Sequence, residues 1–184
     1  MAPSDRAREH WPIASDVHIR RAETADIETL VAVQRDASVA ALGHIFPPDE
    51  HAFPIVAVRE RWDTMLHDPE AEVFLATATR SSRPLGVAAI RPGWLDALYV
   101  LPTSWGTGVG ARLHDAAVAS LREGGSERAD LWVLEENGRA RAFYERRGWV
   151  LNGRERVVPF PPRPLDVGYT LDLAATTGSR RTRI

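Results

Sequence analysis

The stretch LYVLPTSWGTGVGARL, residues 98–113, runs from an apolar strand through three glycines at alternate positions into an amphipathic helix. Gly106, Gly108 and Gly110 permit positive φ and let a backbone approach a ligand with no Cβ in the way. Amide hydrogens at the start of the following helix then converge on an anion, helped by the positive end of the helix dipole. A phosphate is the expected guest. A loop needed only for tight strand-to-helix packing would show the same pattern. Residues 106–111 also satisfy G-x-G-x-x-A, the dinucleotide fingerprint, with Glu135 placed to serve a ribose. Against that reading, LPTSW separates the strand from the first glycine, whereas a dinucleotide turn follows its strand almost at once. The downstream chain also lacks further βαβ repeats.

Working outward, VHIRRAETADIETLVAVQRDASVAAL opens as a short strand and turns at Thr24–Asp26 into a helix with Ile27, Leu30, Val31 and Gln34 on one stripe. The His- and Pro-rich loop GHIFPPDEHAFP leads to a second helix, where Ile55, Val58, Trp62, Met65 and Leu66 fall at spacings of three and four. EVFLATAT and LGVAAIR read as a hairpin, and WLDALYV supplies the next strand after a PG turn. Past the glycines, Val109, Leu113, Ala117 and Leu121 make one helix face that ends at EGG. ADLWVLEE is a strand, RARAFYERRGW a short helix closed by Gly148, and WVLNGRERVV and DVGYTLDL two final strands around PFPPRP. The order β-α-α-β-β-β-α-β-α-β-β predicts a mixed α/β sheet. Residues 1–17 and 174–184 are polar and aperiodic and read as tails around one domain, 18–173.

Composition removes several chemistries. The 184 residues contain no cysteine, so there is no thiol nucleophile, thiolate metal site or disulfide. They contain no lysine either, all 23 basic residues being arginine, which excludes Schiff-base catalysis and a Walker lysine. A net charge of -2 gives no whole-protein attraction to nucleic acid or an anionic membrane. No apolar run suits a membrane span or signal core, so the expected location is the cytoplasm. His44 and His51, with Asp49 and Glu50 between them, lack the spacing of a metal motif, and no metal is expected. G-x-S-x-G is absent.

Three segments together resemble the GNAT superfamily of N-acyltransferases. VLPTSWGTGVGARL is similar to its acetyl-CoA pyrophosphate loop, [QR]-x-x-G-x-[GA]. NGRARAFYERRGW is similar to its later segment N-x-x-A-x-x-F-Y-x-x-x-G-[FW], and HIRRAETADIETLVAVQ to its usual opening. The likeness spans about residues 18–173 in the expected order. Trp105 departs from the usual Gln or Arg, which a loop that binds through backbone amides tolerates.

The resemblance implies the GNAT fold, a mostly antiparallel sheet of about seven strands with flanking helices, and acetyl-CoA as co-substrate. It assigns the loop from Trp105 through Thr107, and the amides of Gly106, Gly108, Val109 and Gly110, to the pyrophosphate. Tyr99 and Val100 would border the pantetheine, with amide hydrogens near Val100 polarising the thioester carbonyl. Asn137 would touch the cofactor arm. Arg139, Arg141, Arg146 and Arg147 form a basic run on the short helix; a solvated face is one reading, and contact of Arg139 and Arg141 with the 3′-phosphate the other. Tyr144 would protonate the leaving thiolate; packing beside Phe143 is its other reading.

The acceptor amine must lose a proton before attack, at a cost near pH 7 of about 4.6 kcal/mol for a lysine-like amine and about 1.4 kcal/mol for an α-amine. Asp96, sharing a strand face with Trp94 and Leu98 by period two, is the leading base and Glu135 the second. A salt-bridged or solvated strand residue is the alternative for Asp96. The expected activity is direct transfer to a primary amine of a small molecule in a ternary complex. Protein N-terminal or lysine acetylation and a non-catalytic acyl-CoA sensor are the competing readings. The acceptor mouth is expected at residues 43–54, with Trp62, Phe46 and Phe160 as apolar walls. Family likeness allows a homodimer through the C-terminal strands.

Overall fold

The computed structural model describes residues 16–174. The expected tails therefore fall almost wholly outside the described residues. Val17 already belongs to the first strand and is buried.

The eleven expected elements all form, in the expected order. The strands are β1 (Val17–Arg21), β2 (Glu72–Ala78), β3 (Pro84–Arg91), β4 (Trp94–Val100), β5 (Arg128–Leu134), β6 (Val150–Val157) and β7 (Leu165–Asp172). The helices are α1 (Ile27–Leu42), α2 (Ile55–His67), α3 (Val109–Glu123) and α4 (Gly138–Glu145). One seven-stranded sheet runs β1-β2-β3-β4-β5-β7-β6. Every neighbour pair is antiparallel except β4 with β5.

Helices cover both faces of the N-terminal half of the sheet. On β3, Ala88 and Ile90 join one core while Val87 and Ala89 join the other. That is why GVAAI reads as an unbroken apolar run rather than an alternating one. The first core takes the α3 stripe Val109, Leu113, Ala117 and Leu121, with Leu131 and Tyr169 from the C-terminal strands. The second takes Leu30 and Val33 of α1 and Trp62 and Met65 of α2. Trp62, 1% exposed, is thus a core residue and not a wall of the acceptor mouth. Its helical spacing with Val58 and Met65 made the two roles indistinguishable in sequence. Because α1 and α2 pack on β2, β3 and β4, the same side of the β5–β7–β6 half is left without a packed helix.

One irregularity positions the site. Ala89 pairs with Ala97 and Ile90 with Leu95, so Asp96 is an extra residue in β4. Such a bulge bends the strand and shifts its facing by one residue. The period-two grouping of Asp96 with Trp94 and Leu98 therefore does not hold across this point. Leu95 and Leu98 face the first core, Ala97 and Tyr99 the second.

Candidate active site

Beyond the bulge, β4 and β5 part. Trp94 and Asp130 form their one ladder pair. The Leu101 amide donates to Leu85 O at 2.9 Å, and hydrogen-bond direction alternates along an antiparallel strand. The Leu98 and Val100 peptides are therefore turned away from β3, into the gap. On the other side Glu135 N donates to Leu165 O at 2.8 Å. The same alternation turns the Trp132 and Leu134 peptides away from β7 and into the gap. The cleft is lined by backbone amides from two diverging strands, a shape that accepts an extended ligand able to pair with both.

The glycine turn closes the top of this cleft. Gly106 has φ +76° and Gly108, which caps α3, φ +91°. Both occupy the left-handed region that a side chain disfavours. A Cβ at Gly106 would meet nothing within 4 Å, so no protein packing requires a glycine there. Gly110 differs: it lies in the first turn of α3, and a Cβ would rest 3.4 Å from Val100 Cγ2 and 3.5 Å from Phe143 Cε2. Thr107 Oγ1 donates to Ser104 O at 2.7 Å, which ties the turn to itself. Among the described residues, the buried Ser104 hydroxyl just before the turn has no hydrogen-bond partner. Open space above a left-handed backbone, at the positive end of the fifteen-residue α3, fits a diphosphate held by amides.

Trp105 has a structural task. Its Nε1–H donates to Val100 O at 2.8 Å, and the Arg139 guanidinium lies 3.7 Å from its ring centre. One side chain thereby joins the end of β4 to α4 across the gap. The Val100 carbonyl is occupied while its N–H stays turned into the cleft. Asn137, expected on the cofactor arm, caps α4 by accepting from Ala140 N at 3.1 Å. Arg141 donates to Tyr169 Oη at 3.0 Å and Glu135 O at 3.1 Å. Tyr169 in turn donates to Glu145 Oε1 at 2.7 Å. Arg141 is thus engaged in bracing α4 on β7, whereas Arg139 stands beside the glycine turn.

Tyr144 is buried between Phe143 and Trp149, whose ring centres lie 5.4 and 5.8 Å from its own. Burial raises its pKa well above the ordinary tyrosine value, and the nearby Tyr99 adds to the effect. Among the described residues its hydroxyl has no hydrogen-bond partner. The group therefore stays protonated across the neutral range, and no protein acceptor among the described residues engages its hydroxyl. Tyr144 is thus a packed aromatic whose hydroxyl is left unengaged.

The two carboxylates proposed as bases have different surroundings. Both oxygens of Asp96 accept from Arg91, at 3.0 Å from Nε and 2.7 Å from Nη2. Arg61 Nη2 donates to the Asp96 carbonyl at 2.9 Å. Arg91 was not singled out in the sequence; its place five residues before Asp96, across the PG turn, was the available signal. Glu135 is exposed at the end of β5; among the described residues its carboxylate accepts no hydrogen bond, although it acts electrostatically on the Arg141 guanidinium. At the far end of the cleft, His44 Nε2 lies 3.3 Å from Glu136 O. The Phe46 and Phe160 rings are 5.9 Å apart, so the α1–α2 loop meets the β6–β7 loop there.

Sequence reading also missed His114. It is buried in α3 and accepts at Nε2 from the Trp149 indole at 2.9 Å, with Nδ1 3.0 Å from Asp115 Oδ1. Burial lowers its pKa, Asp115 opposes that, and Arg147 and Arg122 add to the lowering. A depressed histidine contributes stability that is complete above its unfolded value near 6.5 and is lost as pH falls from there through the folded value. We expect urea stability to decline below about pH 6.5 by up to about 1.4 kcal/mol per pH unit from this group. The decline should flatten in His114→Gln. An equal slope in the variant would exclude His114 as its source.

Among the described residues no cluster of His, Asp and Glu could hold a metal, and no helix is long and apolar enough to cross a membrane. The model of the acetyltransferase (GNAT) family matches residues 38–149. A protein named a probable N-acetyltransferase in Mycobacterium tuberculosis is 28% identical over 180 residues, 89% of this chain and 98% of that one. A peptidyl-lysine N-acetyltransferase of Salmonella typhimurium is 29% identical over 143 residues, 77% of this chain and 88% of its own. The crystal structure of PaiA N-acetyltransferase from Thermoplasma acidophilum, in complex with coenzyme A, superposes with TM-score 0.64 at 19% identity, covering 83% of this chain and 97% of that one.

Proposed function

The chain belongs to the GNAT family of acetyltransferases and is an acetyl-CoA-dependent acyltransferase, and from that premise we propose that it acetylates a primary amine of a small molecule by direct transfer in a ternary complex. The observation that carries the small-molecule reading is the meeting of the two loops at the cleft's end, His44 with Glu136 and Phe46 with Phe160. These contacts roof one end of the acceptor face, where a polypeptide would need an open groove. A protein lysine is the second reading, favoured by the Salmonella relative's peptidyl-lysine activity.

Acetyl-CoA, when bound, supplies the activated acetyl thioester. The amides from Gly106 to Gly110 would hold its diphosphate, and the Leu98 and Val100 peptides its pantetheine arm. Arg139, beside the turn, would face the 3′-phosphate. The Val100 N–H would polarise the thioester carbonyl from the strand side. Asp96 or Glu135 would take one proton from the ammonium, directly or through water. Tyr144 would give its proton to the departing sulfur as the C–N bond forms and the C–S bond breaks. The nitrogen's second proton, shed as the amide forms, would return to the Tyr144 oxygen, so the acceptor leaves as the amide, the carrier as free thiol, and one proton remains with the base. With no cysteine in the chain, no acetyl-thioester on the protein intervenes. We also propose a cytoplasmic location and pairing of two copies through the C-terminal strands.

The test is calorimetric titration with acetyl-CoA and, separately, NADH, followed by thiol release against small amines and a lysine-containing peptide. We expect acetyl-CoA to bind, NADH not to, and small amines to outpace the peptide. NADH binding in place of acetyl-CoA would overturn the assignment of the glycine turn. Faster release with the peptide would overturn the small-molecule acceptor.

A further inference from the structure

The sheet face left without a helix carries a repeated unit. Asp130 of β5 pairs with Arg154 of β6 at 2.7 Å and Asp166 of β7 with Arg156 of β6 at 2.9 Å, and the same pairing recurs in the neighbouring helix-covered half, Asp96 of β4 with Arg91 of β3 at 2.7 Å. In each pair the carboxylate side chain is only 10–11% exposed and the guanidinium 46–55%. The Arg154 and Arg156 guanidinium groups also lie over indoles. Arg154 is 5.5 Å from the ring centres of both Trp94 and Trp132, and Arg156 is 4.6 Å from Trp132. The acids are underneath, the aromatic faces are covered, and what the face presents outward is arginine.

This layer adjoins the cleft. Trp132 stands two residues beyond Asp130, the last ladder partner of β4, and its peptide is turned into the gap between β4 and β5. Arg154 and Arg156 both stack on that one ring, so they form a pair at the cleft's edge. Their aspartate partners engage part of each fork: Nη2 of Arg154, and Nε and Nη2 of Arg156. The remaining guanidinium N–H groups have no partner among the described residues. A planar fork fixed by stacking and a buried acid matches a carboxylate, which it can bind through two parallel hydrogen bonds. A polycationic acceptor would meet N–H donors here where it needs acceptors.

Resting on the acetyltransferase reading above, we infer that the acceptor is an amine that also carries a carboxylate, held by Arg154 and Arg156 while its amino group reaches the cleft. The arginines neutralise their buried acids and retain donors for a second anion. This sets the acceptor class apart from polyamines.

The experiment compares matched acceptors by kcat/KM: leucine with isopentylamine, phenylalanine with phenethylamine, and 4-aminobutyrate with butylamine, plus spermidine and a lysine peptide. The wild-type protein is expected to favour the carboxylate-bearing member of at least one pair by tenfold or more, and to use spermidine and the peptide less well than it. Because removing an arginine alone would strand a buried acid, the variants are R156Q/D166N and R154Q/D130N. Each should raise KM for the favoured acceptor by about tenfold to a hundredfold, leave acetyl-CoA affinity unchanged, and move the matched-pair ratio toward one. Equal or better use of every amine lacking the carboxylate, a preference for spermidine or the peptide, or a ratio unmoved in both variants would overturn the inference. Acetyl-CoA binding measured in parallel separates the failures. Binding with no carboxylate-bearing acceptor used refutes this inference alone, whereas loss of binding refutes the transferase reading beneath it.

Discussion

Replacing Tyr144 with phenylalanine is expected to lower kcat by about 10²–10⁴-fold, the range of a general acid, while the dissociation constant for acetyl-CoA changes by less than about threefold. The substitution removes one oxygen from a side chain packed between Phe143 and Trp149, and that oxygen has no partner to orphan among the described residues. Folding should therefore be indifferent to it. Catalysis should not be, if the Tyr144 hydroxyl is the group that protonates the departing thiolate. Stopped-flow or steady-state thiol release, with acetyl-CoA binding by calorimetry, reads both quantities. Unchanged kcat would leave Tyr144 a packing residue and shift the proton to water.

Gly106→Ala and Gly106→Val should separate stability from binding at the glycine turn. The left-handed φ costs a non-glycine residue about 1–2 kcal/mol, and the β-branched valine more. No protein atom stands within 4 Å of the added Cβ, so no clash adds to that penalty. If the space above Gly106 belongs to the diphosphate, a methyl group there displaces it, and acetyl-CoA affinity should drop by about a hundredfold with alanine and further with valine. A loss of stability with affinity retained would make the turn a device for strand-to-helix packing alone.

The fold was legible because its signals are local and redundant. The α3 stripe of Val109, Leu113, Ala117 and Leu121 is the buried face found, and the unbroken apolar run of β3 reflects burial on both sides. The glycine turn was legible for the same reason: positive φ at Gly106 and Gly108 is a demand that few residues meet. What stayed hidden depends on pairs distant in sequence. The bulge at Asp96 depends on register with β3, which no period within WLDALYV records. Trp105 was read as a departure from a motif, yet its partners are Val100 O and Arg139, 34 residues on. Arg154 and Arg156, in the penultimate strand, were given no role from the sequence. Their meaning came only when Asp130, Asp166 and Trp132 arrived beneath them from two other strands.

The single ladder pair between Trp94 and Asp130 has an evolutionary consequence. Mechanically it is a joint: a substitution on β6 or β7 transmits little register strain through one pair to β4 and the glycine turn. The two halves of the sheet can then drift at different rates. With the donor held at the glycine turn and the acceptor on the last two strands, as proposed above, a lineage built on this joint could trade one acceptor for another by rewriting those strands alone.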